Sequence, residues 1–255
     1  RQLRDVYQAL LTEDSAVDSP DAGFLMAAEV PAGTAAFTGR EREVRRLTER
    51  LTAGGTAAIS GQGGVGKSTL AVHVARTIVE SFPDGQMYID LHGGSAGVAP
   101  SAPADVLARL LRALGVAEPP TDVDEAAARF RSLTTGRRML VVFDDAFDEA
   151  QVRPLLPGAG CATLITSRRV LSALDGVTHL RLGTLTEHEA IDLLGRLVGI
   201  ERVTGERAAA ARIAEFCGYL PLALRISGAR LVAHPERTLA GFAARLSDAM
   251  QRLDV

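Results

Sequence analysis

One run of eight residues limits this chain more than any other feature: Gly61-Gln62-Gly63-Gly64-Val65-Gly66-Lys67-Ser68. It matches GxxxxGK[ST] in full, follows the apolar stretch Ala57, Ala58, Ile59, and leads into a segment with helical periodicity. A glycine-rich turn between a strand and a helix points backbone N–H groups at an anion, and the helix N-terminus adds partial positive charge. In such a P-loop, Gly63, Gly64, Val65, Gly66 and Thr69 form the cradle, Lys67 reaches the β- and γ-phosphates, and the Ser68 hydroxyl holds magnesium. Lys67 is the only lysine among the 28 Lys+Arg residues. A compact ammonium and a bulky guanidinium are not interchangeable, so the one lysine stands where arginine does not fit. The same glycines also spell GxGxxG (Gly61, Gly63, Gly66), with Asp90 placed like a ribose-binding acid. That dinucleotide reading leaves Lys67 and Ser68 unused.

The flanking sequence predicts an α/β fold. Helices are expected over 40–51, 67–82, 104–114 and 122–134, the last with Glu125 placed for a capping box. Strands are expected over 56–60, 86–91, 139–143, 162–166 and 177–182. Alternating strands and helices imply right-handed crossovers and a parallel sheet covered on both faces. Strands then stop, and 186–198, 207–217, 221–232 and 239–253 read as helices, the first opened by Thr186-x-x-Glu189. The expected fold is a P-loop NTPase with a helix-covered parallel sheet, followed by a small all-helical subdomain. Residues 1–14 read as the helical tail of a preceding domain and 15–36 as a linker, which makes the chain a piece of a longer protein. The expected boundaries are 1–36, 37–184 and 185–255.

Two further segments carry chemistry. Leu140-Val141-Val142-Phe143 ends in Asp144-Asp145, the pattern of a strand that delivers one acid to magnesium and a second, Asp145, to an attacking water. An apolar strand ending in acids is common, so the motif gains its meaning from the P-loop. Leu164-Ile165-Thr166-Ser167-Arg168 is a second such strand. Its carboxyl end is expected beside the P-loop strand, where open α/β sheets bind ligands, with Arg168 near the γ-phosphate. The net charge of −3 argues against a dominant DNA-phosphate binder, so no direct DNA binding is expected of this segment. No apolar run suggests a membrane span. Cys161 and Cys217 lack metal spacing and read as buried thiols suited to a cytoplasm.

In order, these residues resemble the NB-ARC group of STAND-type signalling ATPases. Phe37-Thr38-Gly39-Arg40-Glu41 looks like the group's opening hhGRE motif, 61–69 its P-loop, 140–145 its Walker B strand and Thr166-Ser167-Arg168 its sensor motif. Gly218-Tyr219-Leu220-Pro221-Leu222-Ala223-Leu224 looks like GLPLAL, departing from it at Tyr219. The wording GQGGVGKSTLA, MYIDLHG and LVVFDDA resembles, more narrowly, the ATPase segment of actinobacterial SARP-type antibiotic-biosynthesis regulators. The resemblance covers roughly 37–235.

What the resemblance implies is an ATP/ADP switch with Mg2+ and slow hydrolysis inside a transcriptional regulator. The backbone near Phe37 and Thr38 and the ring of Pro221 would flank adenine, and Arg40 would assist on the phosphate side. The implied partners are DNA-binding, activation and sensor domains of the same polypeptide, with self-assembly in ATP. The group's phosphate-touching histidine lies in a further subdomain, so none of His73, His92, His179, His188 and His234 takes that role; each reads as a surface or packing residue. An ADP-binding scaffold without turnover, or another P-loop ATPase or kinase, remains the alternative.

Overall fold

The computed structural model describes residues 29–33, 37–94 and 97–251. The expected helix over 1–14 and most of the expected linker lie outside the described residues. The elements run α1 (Glu41–Thr52), β1 (Thr56–Ser60), α2 (Lys67–Thr77), β2 (Gln86–Asp90), α3 (Pro103–Ala113), α4 (Val123–Thr134), β3 (Leu140–Ala146), α5 (Glu149–Val152), β4 (Ala162–Ser167) and β5 (Val177–Arg181). Then follow α6 (Glu187–Val198), α7 (Ile200–Gly205), α8 (Arg207–Phe216), α9 (Pro221–Ala233) and α10 (Leu239–Gln251). The five strands form one parallel sheet in the order β2-β3-β4-β1-β5.

The unbroken apolar run of β3 is explained by burial on both faces. Val141 and Phe143 point into one core with Leu107, Leu110 and Phe130 of α3 and α4. Leu140 and Val142 point into the other, with Leu47 of α1 and Leu70 and Val74 of α2. A third core gathers Leu193, Leu194, Ile213, Leu224 and Leu231 within the helical part.

Several element ends differ from the sequence reading, for local reasons. The helix expected to reach residue 82 stops at Thr77 and continues as a short 3-10 turn, Val79–Ser81. The strand expected over 139–143 runs on to Ala146 through an irregularity between Phe143 and Ala146, with Asp145 at φ 51°. The short helices α5 and α7 are too brief to show a period. The Asp122 carboxylate accepts from the Glu125 N–H at 2.9 Å, and Thr186 and Glu189 form a full capping box at the start of α6.

Residues 29–33 lie against the sheet domain rather than away from it. The Glu29 N–H donates to Gln86 O at 3.2 Å, and Val30 packs on the core under α2. Among the described residues, no helix is long and apolar enough to cross a membrane.

Candidate nucleotide site

Strand β1 opens directly into the loop 61–66, which ends at Gly66 as the left-handed N-cap of α2. Gly64 and Gly66 have φ of 78° and 97°, a region that favours glycine. A Cβ at Gly61 would stand 2.6 Å from Leu182 O, so the loop passes tightly over the end of β5; a Cβ at Gly63 would meet nothing within 4 Å. No acidic residue lies in the first turn of α2 and no side chain caps it. Its free N–H groups are therefore available to an anion. The Lys67 ammonium donates to Gly61 O at 2.9 Å and Gln62 O at 3.0 Å. Burial pushes its pKa below the ordinary lysine value, and the Arg168 charge pushes the same way, against the pull of Asp145 and Asp144. These four groups therefore share one field. Ser68 is exposed in the first turn of the same helix.

The carboxyl ends of β3 and β4 supply the acids and their partners. Residues Ser60 of β1 and Ser167 of β4 are paired, which puts the sensor-like strand beside the P-loop strand. Thr166 Oγ1 donates to Asp144 Oδ1 at 2.5 Å and accepts from the Asp145 N–H at 2.9 Å. Tyr88 Oη donates to Asp144 Oδ2 at 2.8 Å. Burial, then the Asp144 charge, holds the Tyr88 phenol far above its ordinary pKa, so it stays a donor. Asp145 accepts from the Gly94 N–H on Oδ2 at 2.8 Å, and its Oδ1 lies 3.8 Å from Arg168 Nε. Arg168 is thus joined to the acid pair while more than half of its side chain faces solvent (56%). Sequence reasoning assigned no role to Tyr88, Gly93 or Gly94, although all three fall in or beside the run MYIDLHG quoted for the resemblance.

A mostly apolar cleft lies on the other side of the loop. Phe37, Thr38, Arg40, Val65, Gly66, Thr69, Leu182, Leu185 and Pro221 line it. The structure therefore brings the opening motif, the P-loop and the GLPLAL-like motif to one cavity, although they are far apart in sequence. Arg40 is committed to structure there. Its φ is 70°, its guanidinium donates to Gly183 O at 2.6 Å, and its N–H donates to Glu189 Oε1 at 3.1 Å. Phe37 stacks on His73 with ring centres 3.8 Å apart, so His73, read as a surface or packing residue, packs against a residue that lines the cleft. Pro221 occupies the first turn of α9, and Tyr219 takes φ 55°, the left-handed backbone that departs from a glycine-type position at a side-chain cost.

The residues suit a nucleotide. The space at Gly63 leaves room for a group held by backbone N–H donors. Thr38 Oγ1 is buried without a hydrogen-bond partner at the cleft, and a polar atom so placed calls for one from a ligand. Among the described residues, no cluster of three or more His, Cys, Asp or Glu could cage a metal. Asp144 and Ser68 suit magnesium, which takes one or two protein ligands and the rest from phosphate and water.

The NB-ARC domain family profile matches residues 40–204. The chain is 44% identical over 267 residues to Regulatory protein AfsR of Streptomyces griseus, covering 99% of this chain and 27% of that protein. It is 43% identical over 272 residues to Regulatory protein AfsR of Streptomyces coelicolor, with the same shares. The chain thus spans about a quarter of the length of these curated relatives. The structure of Drosophila ORC bound to DNA matches with a TM-score of 0.60 at 14% identity, over 85% of this chain and 67% of that one. The Walker-type ATPase paby2304 of Pyrococcus abyssi matches with a TM-score of 0.54 at 13% identity, over 90% and 76%. At these identities the two structures share the fold.

Proposed function

The chain belongs to the NB-ARC family, and from that premise we propose that it is the ATP/ADP-binding switch domain of a signal-transducing transcriptional regulator, with slow ATP hydrolysis. The observation that carries this reading is a direct tie between the phosphate loop and the helical part. The Leu222 N–H at the start of α9 donates to Gly64 O at 3.2 Å, and a Cβ on Gly64 would lie 3.1 Å from that of Leu222. Whatever changes the loop must also act on α9. A ligand shifts a two-state protein only through its differential affinity for the states. In this reading the γ-phosphate supplies the difference through Lys67 and Arg168, whose charges already interact.

The roles follow from position. The loop N–H groups and Lys67 hold phosphates, and Phe37, Thr38 and Pro221 enclose adenine. Arg40 holds the opening motif in place from the edge of the cleft. Ser68 and Asp144 hold magnesium, which when bound offsets phosphate charge. Asp145 orients and deprotonates water, with Arg168 beside it. One observation favours a second reading, an ADP-binding scaffold without turnover: both Asp145 oxygens already face partners, Gly94 N–H and Arg168.

In this proposal residues 1–36 end a preceding helical domain and its linker, 37–184 bind nucleotide, and 185–255 relay the change. The remaining domains of the polypeptide would bind DNA and sense the signal in the cytoplasm, with self-assembly in ATP, and this segment would make no direct DNA contact. The relatives' printed description as regulatory proteins supports that setting. The test is ATP and ADP affinity by calorimetry for the wild type and Lys67→Ala. Loss of a buried charge-assisted contact costs on the order of 2–5 kcal/mol, so affinity should fall roughly 30- to several-thousand-fold. Equal affinity for both proteins overturns the assignment.

A further inference from the structure

Strand β2 and the turn after it have no part in the P-loop, the acid-ended strand or the sensor-like strand, yet they make close polar contacts to both acids. Tyr88 pairs in register with Val142, and Asp144 lies two residues on, on the same face of β3. A long side chain at Tyr88 can therefore reach diagonally across the sheet, and its hydroxyl meets Asp144 Oδ2 at 2.8 Å. A carboxylate rotates freely about its last bond unless its oxygens are held. Here each oxygen of the buried Asp144 has its own hydroxyl donor, Thr166 on Oδ1 and Tyr88 on Oδ2.

The turn beyond β2 does the same for the second acid. The Gly93 N–H donates to Asp145 O at 2.6 Å and the Gly94 N–H to Asp145 Oδ2 at 2.8 Å. Gly93 faces backbone and tolerates no side chain, whereas at Gly94 the obstacle is the flexible end of Arg168, which a side chain would push aside. A Cβ at Gly93 would stand 2.3 Å from Phe147 N, and one at Gly94 would stand 2.2 Å from Arg168 Nε.

We propose that the carboxyl end of β2 and its glycine turn position the aspartate pair, Tyr88 orienting the magnesium-side carboxylate of Asp144 and Gly93-Gly94 fixing Asp145 against Arg168. The proposal rests on the nucleotide reading above. Tyr88 touches neither nucleotide nor metal in it; the residue acts through Asp144 and is a positioning residue.

The experiment measures ATP affinity by calorimetry in EDTA and in Mg2+, for the wild type and Tyr88→Phe. Phenylalanine keeps the ring and removes only the donor. Partners that orient a metal ligand change metal affinity or activity by roughly 10–100-fold. The affinity in EDTA should match the wild type, while the gain in affinity conferred by Mg2+ should fall about tenfold. Mn2+ bound with ATP, followed by electron paramagnetic resonance, should weaken in parallel. A Tyr88→Phe chain with a lower melting midpoint but the wild-type Mg2+ gain overturns the proposal, because that is the signature of packing alone. A wild type that binds no ATP overturns the nucleotide reading first and this inference with it. For the turn, Gly94→Ala should displace Arg168 and slow single-turnover hydrolysis while keeping the Mg2+ gain; unchanged hydrolysis overturns that half.

Discussion

Thr166→Val removes one hydroxyl and keeps the shape of a residue that is fully buried. That hydroxyl makes two bonds: it donates to Asp144 and accepts from the Asp145 N–H. Loss of a hydrogen bond to a charged group costs about 1.5–3 kcal/mol, and a buried N–H left without a partner costs about 1–3 kcal/mol. The added methyl returns about 0.8 kcal/mol of apolar burial. The net is about 2–5 kcal/mol of lost stability. At roughly 2–4 °C per kcal/mol for a domain of this size, the melting midpoint should drop by about 4–20 °C. The assay is urea unfolding followed by circular dichroism in EDTA without nucleotide, so that no ligand contributes to stability. Thr166→Ser keeps both bonds and loses a methyl, so it should cost only about 1 kcal/mol. If Thr166→Val lies within about 0.5 kcal/mol of the wild type, or Thr166→Ser is as damaging as Thr166→Val, the hydroxyl does not hold the acid pair and the argument for this site's geometry fails.

Three other outcomes are expected. Asp145→Asn should leave ADP affinity unchanged and slow single-turnover hydrolysis by roughly 10²–10⁴-fold, the usual contribution of a positioned base; no change in a wild type that hydrolyses would place the base elsewhere, and a wild type without turnover would favour the scaffold reading. Burial raises the Glu189 pKa, but bonds from Thr186 and Arg40 outweigh it and hold the group below the ordinary glutamate range. A depressed folded pKa stabilises above the unfolded value and is lost as pH falls through the folded one. The wild type should therefore lose stability below about pH 4.5 more steeply than Glu189→Gln, and parallel pH profiles would show that the link from α6 to the opening motif contributes nothing. Pro221→Gly should weaken ATP and ADP more than inorganic pyrophosphate, because the ring lines the cleft and not the phosphate loop. Equal weakening of all three, read by calorimetry, would point to lost order in α9.

The local part of this molecule was legible in the sequence. The P-loop reads directly because its chemistry is contiguous: glycines for the turn, then Lys67 and Ser68 at the helix start. The five strands read well because each is a short run of strand-forming residues bounded by turns, a signal that needs no knowledge of its sheet neighbours, and the capping pair Thr186 and Glu189 needs only a spacing of three. The opening motif, the acid pair and the GLPLAL-like stretch were recognisable as wording, not as a place. That Phe37, Val65 and Pro221 line one cleft depends on how α9 docks on the sheet, and no periodicity encodes that docking. Element ends such as Thr77 and Ala146 are set by packing and by one irregular residue, beyond the reach of a pattern.

What the tertiary structure alone decided is how the charged groups are held. Tyr88 is 56 residues from Asp144, and Gly94 is 51 from Asp145; the parallel order β2-β3-β4-β1 puts their strands side by side. Arg40 reads as a phosphate-side helper, yet its bonds go to Gly183 and Glu189, because a left-handed backbone at the start of α1 turns it toward the helical part. Sequence specifies which chemical groups are present and which turns carry them. Their partners are fixed by which strands become neighbours, and that is a property of the packed sheet, settled by burial on both faces at once.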